Sequence, residues 1–212
     1  MKWKTLFCLM VFAFLCSLFC DANEDLSSVA LAKEDTGKAV WYYNSANKFV
    51  REGHYEKAVG QYQRLLEIEP KNLDGLYNLS IAYLYNHQYT LAIGLLEKLL
   101  PEKHLQLQVM YNLALAYQLE GKDDLALGMY TRLITKQSNY QKAWNNRGVL
   151  YYQKGLYDNA LNELKKAFAI DPDSQIVMYN LAKVYMAEKQ PFEAIALFEK
   201  IDSALTLPGN YY

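Results

Sequence analysis

Apolar side chains between residues 141 and 174 recur at the spacing of helices that bury one face. A first helical stripe ends at Gly155, because glycine adopts turn conformations that other residues avoid. A second stripe ends before Pro172, because proline cannot continue a helix interior. The segment therefore predicts two helices joined by a tight turn. The stripes consist of Trp144, Gly148 and Tyr151, and of Ala160, Leu164, Ala167 and Phe168.

The same pattern returns every 34 residues without insertion or deletion. Alanine occupies one position of the frame: Ala58, Ala92, Ala126, Ala160 and Ala194. An aromatic residue lies nine residues before each alanine: Phe49, Tyr83, Tyr117, Tyr151 and Tyr185. The alanines predict close helix contacts, and the aromatics predict filling of the space between helices. A fixed period of this length is typical of repeat solenoids, which bind partners along an extended surface more often than they catalyse.

The frame divides the chain into five helical pairs within a repeat domain at 39–208. The pairs cover 39–72, 73–106, 107–140, 141–174 and 175–208. Residues 1–22 precede this domain as a candidate signal peptide, 23–38 form a short tether or cap, and 209–212 form a C-terminal tail. Positions within a repeat are numbered below from the first residue of each pair.

The fourth pair resembles the tetratricopeptide repeat (TPR) family in the positions of its tryptophan, glycines, tyrosine, alanine and proline. The resemblance covers 39–208. It implies an all-α fold, an α-solenoid of five helix-turn-helix units in a right-handed superhelix. The second and fifth repeats depart from the family pattern, since His87 and Lys189 stand where the turn glycine usually lies. Pro101 predicts an early end to the second helix of its repeat.

The first 22 residues have the pattern of a secretory signal. A short basic start is followed by an uncharged run from Leu6 to Phe19 and then by polar residues. The run is short for a membrane span. Export with cleavage after Ala22 is therefore predicted, to the periplasm or the extracellular space. An uncleaved N-terminal anchor is the alternative.

All three cysteines, Cys8, Cys16 and Cys20, lie in this segment. Lipid attachment at Cys20 would make the protein a membrane-anchored lipoprotein, but Phe19 departs from the small residue that lipidation signals prefer. Without 1–22 the chain contains no cysteine for a disulfide, a nucleophile or a metal ligand. Membrane association is expected only through Cys20 or an uncleaved N-terminus.

Charge and motifs argue against two classes of function. Without residues 1–22 the chain has 20 basic and 22 acidic residues, a net charge of −2, whereas nucleic-acid binding favours a basic face. The three histidines, His54, His87 and His104, fall in predicted turns or loops, and no hydrolase or nucleotide-binding motif occurs. We predict no enzyme activity, no cofactor, no metal and no nucleic-acid partner.

A second periodic set lies on the first helix of each repeat. Asparagine occupies the sixth position of all five repeats: Asn44, Asn78, Asn112, Asn146 and Asn180. Tyrosine precedes it in four: Tyr43, Tyr77, Tyr111 and Tyr179. Amides both donate and accept hydrogen bonds, and tyrosine combines apolar area with a polar tip. By resemblance to TPR proteins that hold extended peptides, this ladder predicts a concave groove that pairs with a partner's main chain.

Two alternatives remain open for the ladder. The asparagines are frequent in the family and would then serve helix packing, with the tyrosines as core filling. The second alternative is a clamp for an acidic group, with Lys142, Lys183 and Arg51 as the basic side chains near the groove. A neutral groove predicts binding that is insensitive to salt, whereas a clamp predicts steep salt dependence.

The sequence therefore predicts an exported scaffold or adaptor that binds an extended segment of a partner protein in its groove. The alternative is an envelope assembly factor, of the pilus or outer-membrane biogenesis type, that acts through its edges and ends. Ile195, Phe198 and Ile201 in the last helix predict an apolar surface that needs cover. The C-terminal tail, a partner or a second copy in a weak homo-oligomer would supply that cover.

Overall fold

The computed structural model describes residues 34–206, and it describes side chains as far as residue 203. The predicted signal peptide, most of the tether and the tail at 209–212 lie outside the described residues. Export, lipid attachment and folding back of the tail therefore remain predictions. None of the helices between 34 and 206 has both the length and the apolar character needed to cross a membrane.

Helices account for every regular element between residues 34 and 206, which confirms the predicted all-α fold. The first helix, α1, covers 34–51. The next four are α2 (Tyr55–Ile68), α3 (Leu73–Tyr85), α4 (Tyr89–Leu99) and α5 (Gln106–Leu119). The remaining five are α6 (Asp123–Lys136), α7 (Gln141–Gln153), α8 (Tyr157–Ile170), α9 (Gln175–Ala187) and α10 (Pro191–Thr206). The first helix of each repeat is called helix A below, and the second helix B.

The predicted helix boundaries follow from the local chemistry of the breakers. Helix α7 ends two residues before Gly155, and α8 ends before Pro172. Helix α4 has 11 residues, against 14 in the B helices α2, α6 and α8, because Pro101 follows closely. The predicted early end of the second helix of this repeat is thus confirmed.

The turns between helices A and B share one left-handed residue. Its φ is +74° at Gly53, +79° at Gly121 and +73° at Gly155, and the same conformation occurs at His87 and Lys189, each with φ of +59°. The two non-glycine residues therefore adopt the backbone geometry that the repeat requires. A side chain in this region costs about 1–2 kcal/mol relative to glycine, so the second and fifth turns are locally strained.

The contacts divide the chain into two compact units, Met1–Ala82 and Tyr83–Tyr212, and the division falls within α3. Within the first unit, Tyr62 and Leu65 of α2 are almost completely buried, as is Ala46 of α1. The Tyr62 hydroxyl donates a hydrogen bond of 2.6 Å to Asn47 Oδ1 across the helix pair. The boundaries of a single repeat domain at 39–208 remain a prediction.

Within the second unit each helix from α4 onward packs against the next one in sequence. The periodic alanines lie in these contacts, and Ala92, Ala126, Ala160 and Ala194 have no exposed surface. Between repeats four and five, Ala160 and Leu164 of α8 meet Leu181 and Val184 of α9. The predicted role of the alanines in close helix packing is confirmed.

Gly148 marks the closest approach of α7 to α8. A Cβ at this position would lie 2.8 Å from Leu164 Cγ and 3.2 Å from Glu163 Cβ. Contacts below 3 Å require a neighbouring group to move, so only glycine fits this packing. Gly94 in the middle of α4 is the opposite case, because no heavy atom lies within 4 Å of a Cβ built there.

A buried ion pair joins the same two helices. Arg147 Nη2 lies 2.6 Å from Glu163 Oε2, and the side chains are only 11% and 7% exposed. Arg147 Nε donates a second bond of 2.8 Å to the same oxygen, and Nη1 donates one of 2.8 Å to Thr131 Oγ1. The Trp144 ring covers the guanidinium, whose Cζ lies 5.0 Å from the ring centre. Glu163 therefore neutralises a buried cation instead of facing solvent.

Candidate functional site

The asparagine ladder forms links between consecutive repeats. Asn78 Nδ2 donates to the Tyr43 hydroxyl at 3.1 Å, and Asn146 Nδ2 donates to the Tyr111 hydroxyl at 3.2 Å. Each link joins the sixth position of one repeat to the fifth position of the repeat before it. Asn180 continues the series, because its Nδ2 donates to Asn145 Oδ1 at 2.9 Å. Asparagine at the fifth position thus replaces tyrosine as the acceptor without breaking the link.

The ladder tyrosines also pack within their own repeats. In the odd-numbered repeats the residue at position 5 contacts an aromatic side chain at position 24 of the same repeat, which lies in helix B. The ring centres of Tyr43 and Tyr62 lie 6.3 Å apart, those of Tyr111 and Tyr130 6.4 Å, and those of Tyr179 and Phe198 6.2 Å. Such edge-to-face and tilted pairs add about 0.5–1.5 kcal/mol to the burial of the rings. These partners were not predicted from the sequence, although an aromatic residue at position 24 of repeats one, three and five was a visible signal.

Burial keeps the hydroxyls of Tyr62, Tyr111 and Tyr130 protonated. Burial, with Tyr43 adding a smaller effect, raises the pKa of Tyr62 to about 12. Burial also raises the pKa of Tyr111 and that of Tyr130, although the hydrogen bond from Asn146 opposes the rise in both. The Tyr130 hydroxyl donates to Gln118 Oε1 at 3.0 Å and accepts from Asn146 Nδ2 at 3.3 Å. The link from Asn146 to Tyr111 and Tyr130 therefore consists of neutral groups at physiological pH.

The other ladder residues have different surroundings. Asn44 in the first repeat is exposed, and among the described residues its side chain has no hydrogen-bond partner. Asn112 donates to the Gln108 carbonyl at 3.0 Å and makes further interactions. Tyr77 is half-buried and is also engaged. The structure thus gives the ladder a packing role, and its predicted role in partner binding remains a prediction.

Loss of a ladder amide is expected to destabilise the fold only where a link exists. Asn146→Ala removes the donor to Tyr111 and Tyr130 and should lower the free energy of unfolding by about 1–3 kcal/mol. Asn44→Ala is the matched control at the same repeat position, and it should change stability by less than about 0.5 kcal/mol. Urea denaturation followed by circular dichroism measures both. Equal values for the two variants would contradict the packing role.

The two groove lysines lie on helices A of repeats four and five. Lys142 of α7 is exposed. Lys183 of α9 lies over two tyrosine rings, with its Nζ 5.1 Å from the centre of Tyr152 and 5.8 Å from that of Tyr179. A small pocket beside Lys183 is also lined by Val149, Tyr152 and Asn180. The structure therefore brings Lys183, Asn180 and Tyr179 together.

Helix α9 presents an apolar stripe to solvent. One face of the helix is buried through Val177, Met178 and Leu181. On the other face Ile176 is 69% exposed, Tyr179 52% and Met186 54%. Helical spacing places Asn180 and Lys183 on the same side as this stripe. We call the side of helices A that carries repeat positions 2, 5, 6, 9, 12 and 13 the groove face.

The histidines have the placement expected of turn residues. His54, His87 and His104 are all exposed. No group of three or more histidine, aspartate or glutamate side chains between residues 34 and 203 is arranged to hold a metal ion. The absence of enzyme activity and of a cofactor remains a prediction.

Comparisons with known proteins address the family directly. Sequence profiles described as tetratricopeptide repeat match residues 61–94, 111–174 and 151–206. The chain belongs to the tetratricopeptide repeat family. Membership supports a scaffold for protein–protein interaction rather than a catalyst, and it agrees with the five helix pairs.

Solved structures of MamA share the fold of this TPR protein. One crystal structure of MamA has a TM-score of 0.62 and 22% identity, and the match covers 77% of this chain and 89% of that one. MamA from Desulfovibrio magneticus RS-1, from residue 41 to its end, has a TM-score of 0.67 and 18% identity, with coverage of 81% and 97%. At this level of identity the similarity concerns the α-solenoid alone.

One curated relative matches a short part of the chain. The putative cargo-transport protein ypp1 of Schizosaccharomyces pombe is 30% identical over 61 residues, which is 29% of this chain. The match spans only 7% of the length of that protein. The similarity therefore covers the length of about two repeats of this chain and a small part of a much longer polypeptide.

Proposed function

We propose that this protein is an exported TPR scaffold that binds an extended segment of another protein on the groove face of its A helices. The observation that carries the proposal is the exposed stripe of Ile176, Tyr179 and Met186 on α9. Exposed apolar side chains grouped on one helix face are typical of interaction sites. Tyrosine suits such a site because it contributes a large contact area with little loss of conformational entropy.

The asparagine ladder supports this proposal in a modified form. Asn146 uses its amide group for Tyr111 and Tyr130, and its Oδ1 accepts from Asn145 Nδ2 at 3.0 Å. A partner would therefore gain more from the exposed side chains around the links than from this amide. Asn180 differs, because among the described residues its Oδ1 accepts no hydrogen bond and stays available to a main-chain N–H.

Site-directed photocrosslinking tests the location of the partner. A photoreactive phenylalanine analogue replaces Tyr179 on the groove face or, as the matched control, Leu125 of α6, which is exposed to a similar extent on a B helix. In the native envelope, position 179 is expected to capture one protein in high yield and position 125 to capture little of it. Ile176→Ser should then weaken binding of that protein about tenfold, while Leu125→Ser leaves it unchanged. Capture from position 125 alone would contradict groove binding.

Export rests on the basic start and the apolar run of residues 1–22. Mass spectrometry of the native protein is expected to find a mature N-terminus near Asn23. Acylated Cys20 would instead establish the membrane-anchored lipoprotein. A chain that retains Met1 in a cytosolic pool would contradict export.

The surface of α10 favours the second candidate function, an envelope assembly factor that acts through its ends. Phe192 is 82% exposed, and Ile195 and Phe198 are also exposed. The photoreactive analogue at position 192 distinguishes the two functions. Capture of the partner from position 192, without capture from position 179, would favour the assembly factor.

A further inference from the structure

We infer that Lys183 receives a carboxylate side chain of the partner segment, so the partner is acidic where it crosses α9. This inference rests on the proposed function, because it assigns a chemical class to the segment that binds there. The partner segment is extended and places a single acidic side chain at Lys183. Its neighbouring apolar side chains cover Ile176 and Tyr179.

The position of the Lys183 side chain favours contact with a carboxylate. Its Nζ lies near the rings of both Tyr152 and Tyr179, which belong to the A helices of consecutive repeats. Attraction between a cation and a ring is strongest over the ring face and holds the ammonium group in place. The side chain therefore loses less conformational entropy on meeting a carboxylate than a freely rotating lysine would.

The Lys183 ammonium group forms no ion pair within the described part of the chain. Among the described residues no carboxylate lies within ion-pair distance of Lys183. Three lysines of the second unit are paired: Lys122 Nζ lies 2.7 Å from Glu120 Oε2, Lys154 Nζ 3.5 Å from Asp123 Oδ2, and Lys200 Nζ 3.5 Å from Asp173 Oδ1. Lys183, like Lys142 on the same face, has no such pair between residues 34 and 203. Lys183 thus offers a positive charge on the same face as the exposed apolar stripe.

The whole groove face of repeats three to five carries positive charge and no negative charge. The eighteen groove-face positions of these repeats contain two lysines and no aspartate or glutamate. Lys142 is the other lysine. A surface with this composition attracts an acidic segment and disfavours a basic one. The neutral positions are Gln108, Tyr111, Asn112, Leu115, Gln118, Leu119, Asn145, Asn146, Val149, Tyr152, Gln153, Ile176, Tyr179, Asn180, Met186 and Ala187.

Asn180 offers a hydrogen-bond acceptor beside Lys183. Asn180 and Lys183 line the same pocket, and the bond from Asn180 Nδ2 to Asn145 Oδ1 fixes the orientation of the amide. Asn180 Oδ1 is then placed to accept a main-chain N–H of the partner, while Lys183 Nζ donates to its carboxylate. This pair of groups can hold one residue of an extended segment through both its backbone and its side chain.

Titration with a matched pair of peptides tests the inference. Each is a nine-residue peptide of glycine and serine with acetylated and amidated ends and leucine at its third and seventh positions. One carries glutamate at the fifth position, and its twin carries glutamine. Nuclear magnetic resonance shifts of backbone amides in α9 report binding to the mature chain. The glutamate peptide is expected to bind about fivefold more tightly at low salt, and the advantage should shrink in 0.5 M NaCl.

Three variants locate the effect. Lys183→Gln should abolish the advantage of the glutamate peptide, and Lys183→Arg should retain most of it. Lys166→Gln is the matched control, because Lys166 Nζ also lies over a ring, 4.6 Å from the centre of Trp144, but belongs to the B helix α8. It should leave the advantage unchanged. Chemical denaturation of each variant shows that the fold is retained.

The outcomes separate the inference from the proposed function. Equal binding of the two peptides to α9 would overturn the acidic assignment and leave groove binding intact. An advantage that survives in Lys183→Gln would also overturn the assignment. If neither peptide shifts any amide of α9 at millimolar concentration, both the inference and groove binding at α9 are overturned.

Discussion

Replacement of Glu163 with alanine is expected to lower the free energy of unfolding by about 3–5 kcal/mol. The carboxylate is the counter-ion of Arg147, and both side chains are almost entirely buried between α7 and α8. Its removal leaves a guanidinium group with only Thr131 Oγ1 and the Trp144 ring as described contacts. Guanidinium chloride denaturation of the protein measures the loss.

A double variant shows whether the loss comes from the isolated charge. Arg147→Met combined with Glu163→Leu removes both charges and keeps the volume, so it should recover most of the stability. Glu193→Ala on the exposed side of α10 is the control for loss of a glutamate, and it should have an effect below about 0.5 kcal/mol. A cost below about 1 kcal/mol for Glu163→Ala would show that the pair is effectively solvated.

Substitutions at Gly148 and at Leu164 are each expected to destabilise the protein. When the two are combined, their losses of stability are expected to cancel in part. Gly148→Ala places a methyl group 2.8 Å from Leu164 Cγ and should cost about 1–3 kcal/mol. Leu164→Ala empties a fully buried site and should cost about 2–5 kcal/mol. In the double variant the clash is gone and the new methyl group fills part of the cavity. Its cost should therefore be smaller than the sum by at least about 0.5 kcal/mol.

Gly94→Ala is the matched control for the glycine substitution. A methyl group on Gly94 in the middle of α4 meets no atom within 4 Å. Alanine is favoured over glycine inside a helix, so this variant should gain about 0.5–1 kcal/mol. Thermal denaturation of the three Gly148 and Leu164 variants and of this control decides the matter. Additive losses in the double variant would mean that the two side chains do not share the same space.

The parts of the fold that could be predicted from the sequence are those set by local chemistry and by repetition. Gly155 and Pro172 act on their own neighbourhood, so the ends of α7 and α8 could be predicted from single residues. Ala160 and its periodic equivalents could be predicted as buried because the same requirement recurs in every repeat. The turn at His87 shows the same point, since its left-handed conformation follows the frame although histidine does not favour it.

The candidate site was harder to predict from the sequence because its contacts join residues that are distant in sequence. The period identified Asn78 and Asn146 as special, but it could not show that each amide meets a hydroxyl 35 residues away. Burial of Glu163 depends on how α7 crosses α8, and a glutamate on an amphipathic helix usually faces water. The exposed stripe of α9 was equally hidden, because periodicity alone does not show which apolar face is covered.

Each described junction between repeats uses the same link, from an asparagine to the fifth position of the preceding repeat. One junction can therefore stand in place of another. A duplicated block of 34 residues carries both halves of the link, so it can be inserted between two existing repeats without any new contact chemistry. An insertion of any other length would separate the donor from its acceptor. The array is therefore expected to have lengthened and shortened during evolution by whole repeats. Asn44, with no partner among the described residues, is the donor that an added repeat on its N-terminal side would engage.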